Sequence, residues 1–160
     1  MSPNQYRDFI VDSLRQQARK LDNVLYHLDG PDAIKHVDAL MEVEEIDALQ
    51  WTSGDHGPDG TLEEWYEIYD KARRAGKSLW IKVYTGNVDD WIRNVDRLVQ
   101  RYGSHSMLLY FNPMSMADAK KLMQLMSLGV KGGEEISVTA VGPDEEEACA
   151  AMEKVLKENL

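Results

Sequence analysis

The run "VLYHLDGPDAIKHVDAL", Val24 to Leu40, sets an imidazole and a carboxylate two residues apart. His27 and Asp29 stand where a short apolar stretch gives way to an amphipathic one. Alternate residues of a strand share a face, so the two groups can act at one place. Three chemistries fit the pair. It can ligate zinc or another divalent ion if a third ligand joins it. It can contact an organic ligand. It can also be turn polarity, with His27 donating to a carboxylate and Asp29 capping the helix that Pro31 opens. Asp55 and His56, in the next loop "TSGDHGPDG", are the nearest candidates for the third ligand. That loop lacks the alternating oxygens of a calcium site and reads as a mobile rim segment. Trp51 ends an apolar run beside Thr52, where it can line the same rim. Tyr84, Thr85 and Asn112 close two later runs. His36 and His105 fall mid-helix and in a turn, and read as surface or satisfied histidines.

The elements that must position these groups follow from periodicity. Phe9, Ile10, Leu14, Ala18 and Leu21 recur at helical spacing. "NVLYHLD", "DALQW", "SLWIKVY", "MLLYFN" and "EEISVTAV" are short apolar runs, each followed by a helical pattern. The helices carry their own punctuation. A helix runs from Pro31 to Val43, Thr61 and Glu64 form a capping box before the next, and Gly76 ends that one. Asn87 caps a helix that Gly103 ends, Ser115 caps another, and Pro143 begins the last. Trp65 and Trp91 fall on apolar helix faces and belong in a core. Met114, Met116, Met123 and Met126 make a stripe suited to core or interface.

Strands alternating with helices predict a parallel sheet covered by helices. Two closures suit this length: part of a βα barrel, or a flavodoxin-like doubly wound sheet. In either, ligands sit beyond the carboxyl ends of the strands, which gathers His27, Asp29, Trp51, Asp55, His56 and Tyr84 on one rim.

Composition narrows the function. The 160 residues carry a net charge of −10, with 43% hydrophobic and 29% charged residues. No basic stripe offers a surface to nucleic acid or to an anionic membrane. One cysteine, Cys149, allows no internal disulfide and no thiolate zinc cluster. No phosphate-binding glycine fingerprint or nucleophile elbow follows any strand. The start, Met1 to Tyr6, lacks the basic and apolar segments of a signal peptide, and a cytoplasmic protein is expected.

Two stretches resemble known families. "VLYHLDGPDAIKHVDALMEVEEIDALQWTSG" and "WYEIYDKARRAGKSLWI" resemble the C-terminal half of uroporphyrinogen-decarboxylase-like proteins, a superfamily that includes corrinoid-dependent methyltransferases and the trimethylamine corrinoid group. The likeness spans about residues 2–111. It implies half a TIM-like barrel and a tetrapyrrole, corrinoid or other small ligand at the rim. In the methyltransferase branch a His-x-Cys-Gly supplies zinc ligands; here His27 and Gly30 match, and Asp29 stands at the cysteine. "AKKLMQLMSLGVKGGEEISVTAVGPDEEEACAAMEKVL" is similar to the C-terminal half of the histidine-containing phosphocarrier protein (HPr) of the sugar phosphotransferase system. That family's Gly-Leu-His-Ala-Arg-Pro segment has no counterpart here, and Lys121 stands at its regulatory serine. The likeness implies shape without phosphocarrier chemistry.

The expected organisation is a half-barrel over residues 1–113 and a phosphocarrier-like piece over 114–160. The expected functions are a ligand-binding domain with zinc, a corrinoid or a tetrapyrrole as candidate cofactors, or a non-catalytic interaction module that assembles with itself or a partner. Half a barrel leaves strand edges and one sheet face bare, so a homo-oligomer is expected.

Overall fold

A computed structural model describes residues 1–54, 57–127, 139 and 145–159. The chain divides into two compact units, one of Met1–Thr85 with His105–Phe111, the other of Gly86–Ser104 with Asn112–Leu160.

The first unit is built on a four-stranded, all-parallel sheet: β1 Leu25–Asp29, β2 Ala48–Thr52, β3 Ser78–Val83 and β4 Met107–Phe111. β1, β3 and β4 lie within the apolar runs read from the sequence, and β2 extends its run by one residue, Thr52. The strands stand side by side in chain order, β1-β2-β3-β4. This order corrects the flavodoxin-like alternative, in which β1 lies inside the sheet between later strands. Among the described strands β1 lies at an edge, next to β2 alone, and their order contains no reversal.

The pleat sorts the side chains of this sheet. Leu28, Leu49, Trp51, Leu79, Ile81 and Val83 share one face, and all are buried. Helical segments cover that face. Trp65 stacks at a tilt on Trp51, with ring centroids 5.0 Å apart. The hydroxyls of Tyr6 and Tyr26 lie 2.9 Å apart. Val37, Leu40, Val43, Ile46, Ile68, Tyr69 and Ala72 complete the core.

Three helical expectations change in the structure. The N-terminal segment is α1 Pro3–Tyr6, a π turn over Arg7–Val11, and α2 Asp12–Ala18. A π turn carries more residues per turn than an α-helix and rotates the side chains that follow. Tyr6, Val11 and Ala18 are therefore the buried positions, while Phe9 is 70% exposed and Leu21 is also exposed. The helix after Pro31 starts as a 3-10 turn, Pro31–His36, and continues as α3, Val37–Met41. Its N-cap is Gly30 at φ 78°, with no side-chain cap, so Asp29 does not cap it. The helix after Thr61 likewise begins with a 3-10 turn, Glu63–Trp65, before α4, Tyr66–Arg74. Its N-cap is Leu62, again without a side-chain bond. The Thr61 hydroxyl is committed elsewhere, to Asp59.

Ends of helices are otherwise closed by local chemistry. Lys77 is buried and donates to the carbonyls of Val43 at 2.8 Å and Glu44 at 3.0 Å, just past α3. A long apolar stem thus carries a charge to two carbonyls just past the helix end.

The second unit holds α5 Val88–Tyr102, α6 Met116–Ser127 and α7 Glu145–Asn159. Trp91, Val95 and Leu98 are buried on α5, Ala119, Leu122 and Met123 on α6, and Ala148 on α7. Ser115 caps α6, its hydroxyl accepting from the Asp118 N–H at 3.2 Å. The expected strand Ile136–Val141 lies outside the described residues. No described helix is long and apolar enough to cross a membrane.

Candidate functional site

The sheet face opposite the core carries the groups that opened the sequence reading. His27 pairs in register with Gln50, and Asp29 with Thr52. All four share this face with Trp80, Lys82, Leu108 and Tyr110 on β3 and β4. His27 and Asp29 are exposed. Leu25 is 48% exposed, Leu108 57% and Tyr110 51%. Trp80 and Tyr110 meet edge to face, with centroids 6.1 Å apart. The Trp80 indole N–H and the Thr52 hydroxyl are buried and have no hydrogen-bond partner among the described residues. This is a broad apolar surface with polar rows across it.

Trp51 does not join this face. It sits in register between Leu28 and Ile81 on the opposite side, fully buried against Trp65. A one-residue step along β2 separates a rim position from a core position, which makes Trp51 a packing residue. Asp55 and His56 lie outside the described residues. Among the described residues no group of three or more His, Cys, Asp or Glu side chains is placed to hold a metal ion.

Tyr84 belongs to a second constellation, centred on Asp59, that the sequence reading passed over. Asp59 is buried. Its Oδ2 accepts from the backbone N–H of Tyr84 at 2.7 Å and of Thr85 at 2.8 Å. Its Oδ1 accepts from the Thr61 N–H at 2.9 Å and the Thr61 hydroxyl at 2.5 Å. The Asp59 carbonyl accepts from the Trp65 indole at 3.0 Å. Around it, the Tyr84 hydroxyl donates to the Gly57 carbonyl at 2.9 Å, and Tyr69 donates to the Gly60 carbonyl at 2.5 Å. Ser53 donates to the Pro58 carbonyl at 2.6 Å. Gly60 packs so close to β3 that an added Cβ would lie 2.7 Å from the Lys82 carbonyl. The end of the expected mobile loop is therefore a built structure, in which a carboxylate neutralises converging N–H dipoles and ties the loop to the end of β3. The signal in the sequence is "GPDGT", where an aspartate between turn residues precedes a threonine by two positions.

The second unit presents a different candidate, the N-terminal end of α5. Asn87 and Asp90 form a reciprocal cap there. Asp90 also pairs with Arg93, and Asp89 pairs with Lys121 of α6. The Lys121 ammonium and its hydrogen bond hold the Asp89 carboxyl below its usual range. A helix N-terminus is suited to an incoming anion, but this one is filled by its own carboxylates. His105, exposed, follows the C-terminal end of the same helix, beyond Gly103 at φ 77°.

Residues 92–158 match the family model described as "PTS HPr component phosphorylation site". The matched stretch spans most of α5, then β4, α6 and nearly all of α7, and it includes the tail whose likeness to the phosphocarrier protein the sequence suggests. No solved structure matches the chain. Within the matched stretch His105 is the one histidine. At a helix carboxyl end a phosphoryl group would face the negative pole of the dipole. Incubation with phosphoenolpyruvate and the phosphotransferase enzyme is therefore expected to leave all four histidines unmodified by intact-mass spectrometry. A stable 80 Da adduct (approximately one phosphoryl group) would contradict this reading.

Proposed function

We propose that this chain is a non-catalytic interaction module that assembles with itself, a half-barrel-like βα unit joined to an HPr-like unit that carries no phosphoryl group. The observation that carries the reading is the exposure of Leu25, Leu108 and Tyr110 on one face of the parallel sheet. Parallel sheets are ordinarily covered on both faces. Here Leu25, Leu108 and Tyr110 lie open on one face while the other face is closed by helices. Strand order β1-β2-β3-β4, with the core of the first unit on one side of the sheet, suits a barrel-type unit, whose second face is an interior in a closed barrel. Among the described strands, β1 and β4 also have one unpaired edge each, which favours pairing with another chain. The test is the mass of the chain in solution with and without charges placed on this face.

A second reading is favoured by one specific observation. His27, Asp29, Gln50 and the Thr52 hydroxyl, which has no partner among the described residues, stand together on the same face, and His27 matches the histidine of the uroporphyrinogen-decarboxylase-like motif. On that reading the face binds a tetrapyrrole, a corrinoid or a zinc ion. Titration of the chain with a tetrapyrrole and with zinc separates the two readings, because the interaction module takes up neither.

A further inference from the structure

The N-terminal segment is fastened to the first unit by a stack of two rings. Tyr6, on α1, lies face to face with His36 at 4.2 Å between centroids and 16° between planes. His36 is 9% exposed. Its Nδ1 is buried and has no hydrogen-bond partner among the described residues. Tyr6 in turn meets Tyr26 of β1 through their hydroxyls. A neutral imidazole tolerates a bare ring nitrogen, since an unmet acceptor costs little beside an unmet cationic donor. An imidazolium places an N–H at both nitrogens and needs an acceptor at each.

We propose that His36 is a proton-operated latch: uptake of a proton by its ring releases the segment Pro3–Ala18 from the first unit. Among the described residues no carboxylate is paired with the His36 ring. The charges acting on the ring are both positive, Lys35 on the same turn and the terminal ammonium. From α1 the ring meets Tyr6, and behind it Tyr26 of β1, both neutral. The carboxylates of α3 are engaged elsewhere, Asp38 with Lys71 and Glu42 with Arg7. Burial is the largest cause holding the His36 pKa below its ordinary value, with Lys35 next. The unfolded or undocked ring therefore binds the proton more readily. The latch contributes its full hold above the ordinary histidine pKa near 6.5, and loses it as pH falls below that value.

The rest of the fastening responds to acid in a separate, lower range. Arg7 pairs with Glu42, and Arg19 pairs with Glu45 at 2.6 Å. The hydrogen bond from Arg7 holds the Glu42 carboxyl below its ordinary value, and backbone and Arg19 hydrogen bonds do the same for Glu45. Their contributions persist above the ordinary carboxylate pKa and fade only as pH falls beneath it.

The experiment is amide exchange of the full chain, read peptide by peptide between pH 7.5 and 5.5 and corrected for intrinsic rates. Exchange over residues 3–18 is expected to rise severalfold toward pH 5.5 while the strands stay unchanged. In His36→Phe, which keeps a ring for Tyr6 but cannot titrate, the rise is expected to vanish. Should that variant fold poorly, a titration of the wild-type ring by NMR decides. The amides of residues 3–18 must then move with the His36 ring resonances. The latch is overturned if His36→Phe shows the same rise, if the wild type shows none, or if the ring titrates while those amides stay still.

Discussion

Asp59→Ala is expected to lower the stability of the chain by about 4 kcal/mol, seen as a large drop in the urea midpoint with an unchanged slope. Both carboxylate oxygens are engaged, and the donors they satisfy are the backbone N–H groups of Thr61, Tyr84 and Thr85 and the hydroxyls of Thr61 and Thr85. Alanine strands these groups around a buried site, and each unmet buried donor costs roughly 1–3 kcal/mol. Asparagine is expected to recover only part of the loss, because its amide N–H₂ would face N–H donors. Thr61→Val, which removes one hydroxyl, is expected to cost only about 1 kcal/mol. A loss below about 1 kcal/mol for the alanine variant would mean that the loop holds without its carboxylate.

Trp51→Ala is expected to cost about 3–5 kcal/mol, the range for deleting a large buried aromatic side chain. Its ring is fully buried, and removing it empties the contact with Trp65. His27→Ala, one residue type away from the same rim in the sequence reading, is expected to stay within about 1 kcal/mol of wild type. His27 is exposed on the open face and leaves no cavity. Thermal melts of the two variants side by side check the assignment. Equal losses would contradict the division of β1 and β2 into a core face and an open face.

The sequence made the strands legible because each is a short apolar run bounded by turn residues, as in "SLWIKVY". Cap chemistry at Asn87, Ser115 and Gly103 was legible for a similar reason: a local hydrogen bond or a positive φ needs a particular residue type within a few positions. Thr61 shows where such reasoning stops. Its capping-box spacing to Glu64 is correct, but the hydroxyl bonds to Asp59, a partner chosen by the fold of the loop. The burial of Phe9 was misread because the π turn at Arg7–Val11 shifts the helical phase, and no residue there announces it. Trp51 was placed at the rim by its position at a strand end, whereas the pleat decides its face. The sheet order was not legible at all, since both closures use the same βα units and differ only in which strands meet. The shared face of His27 and Asp29 was legible from their alternate spacing on a strand; Asp59 was missed because one acid in a glycine-rich loop resembles any solvated acid until its donors converge.

Sedimentation velocity at tens of micromolar tests the central claim most directly, comparing the wild type with a Leu108→Glu and Tyr110→Glu double variant. Both side chains are exposed on the open sheet face, so the substitutions charge that face without opening the core. The wild type is expected to sediment as a species larger than the 18.2 kDa chain. The double variant is expected to sediment as a monomer with an unchanged melting temperature. A wild type that remains strictly monomeric across that range, or an oligomer indifferent to both charges, would contradict the account.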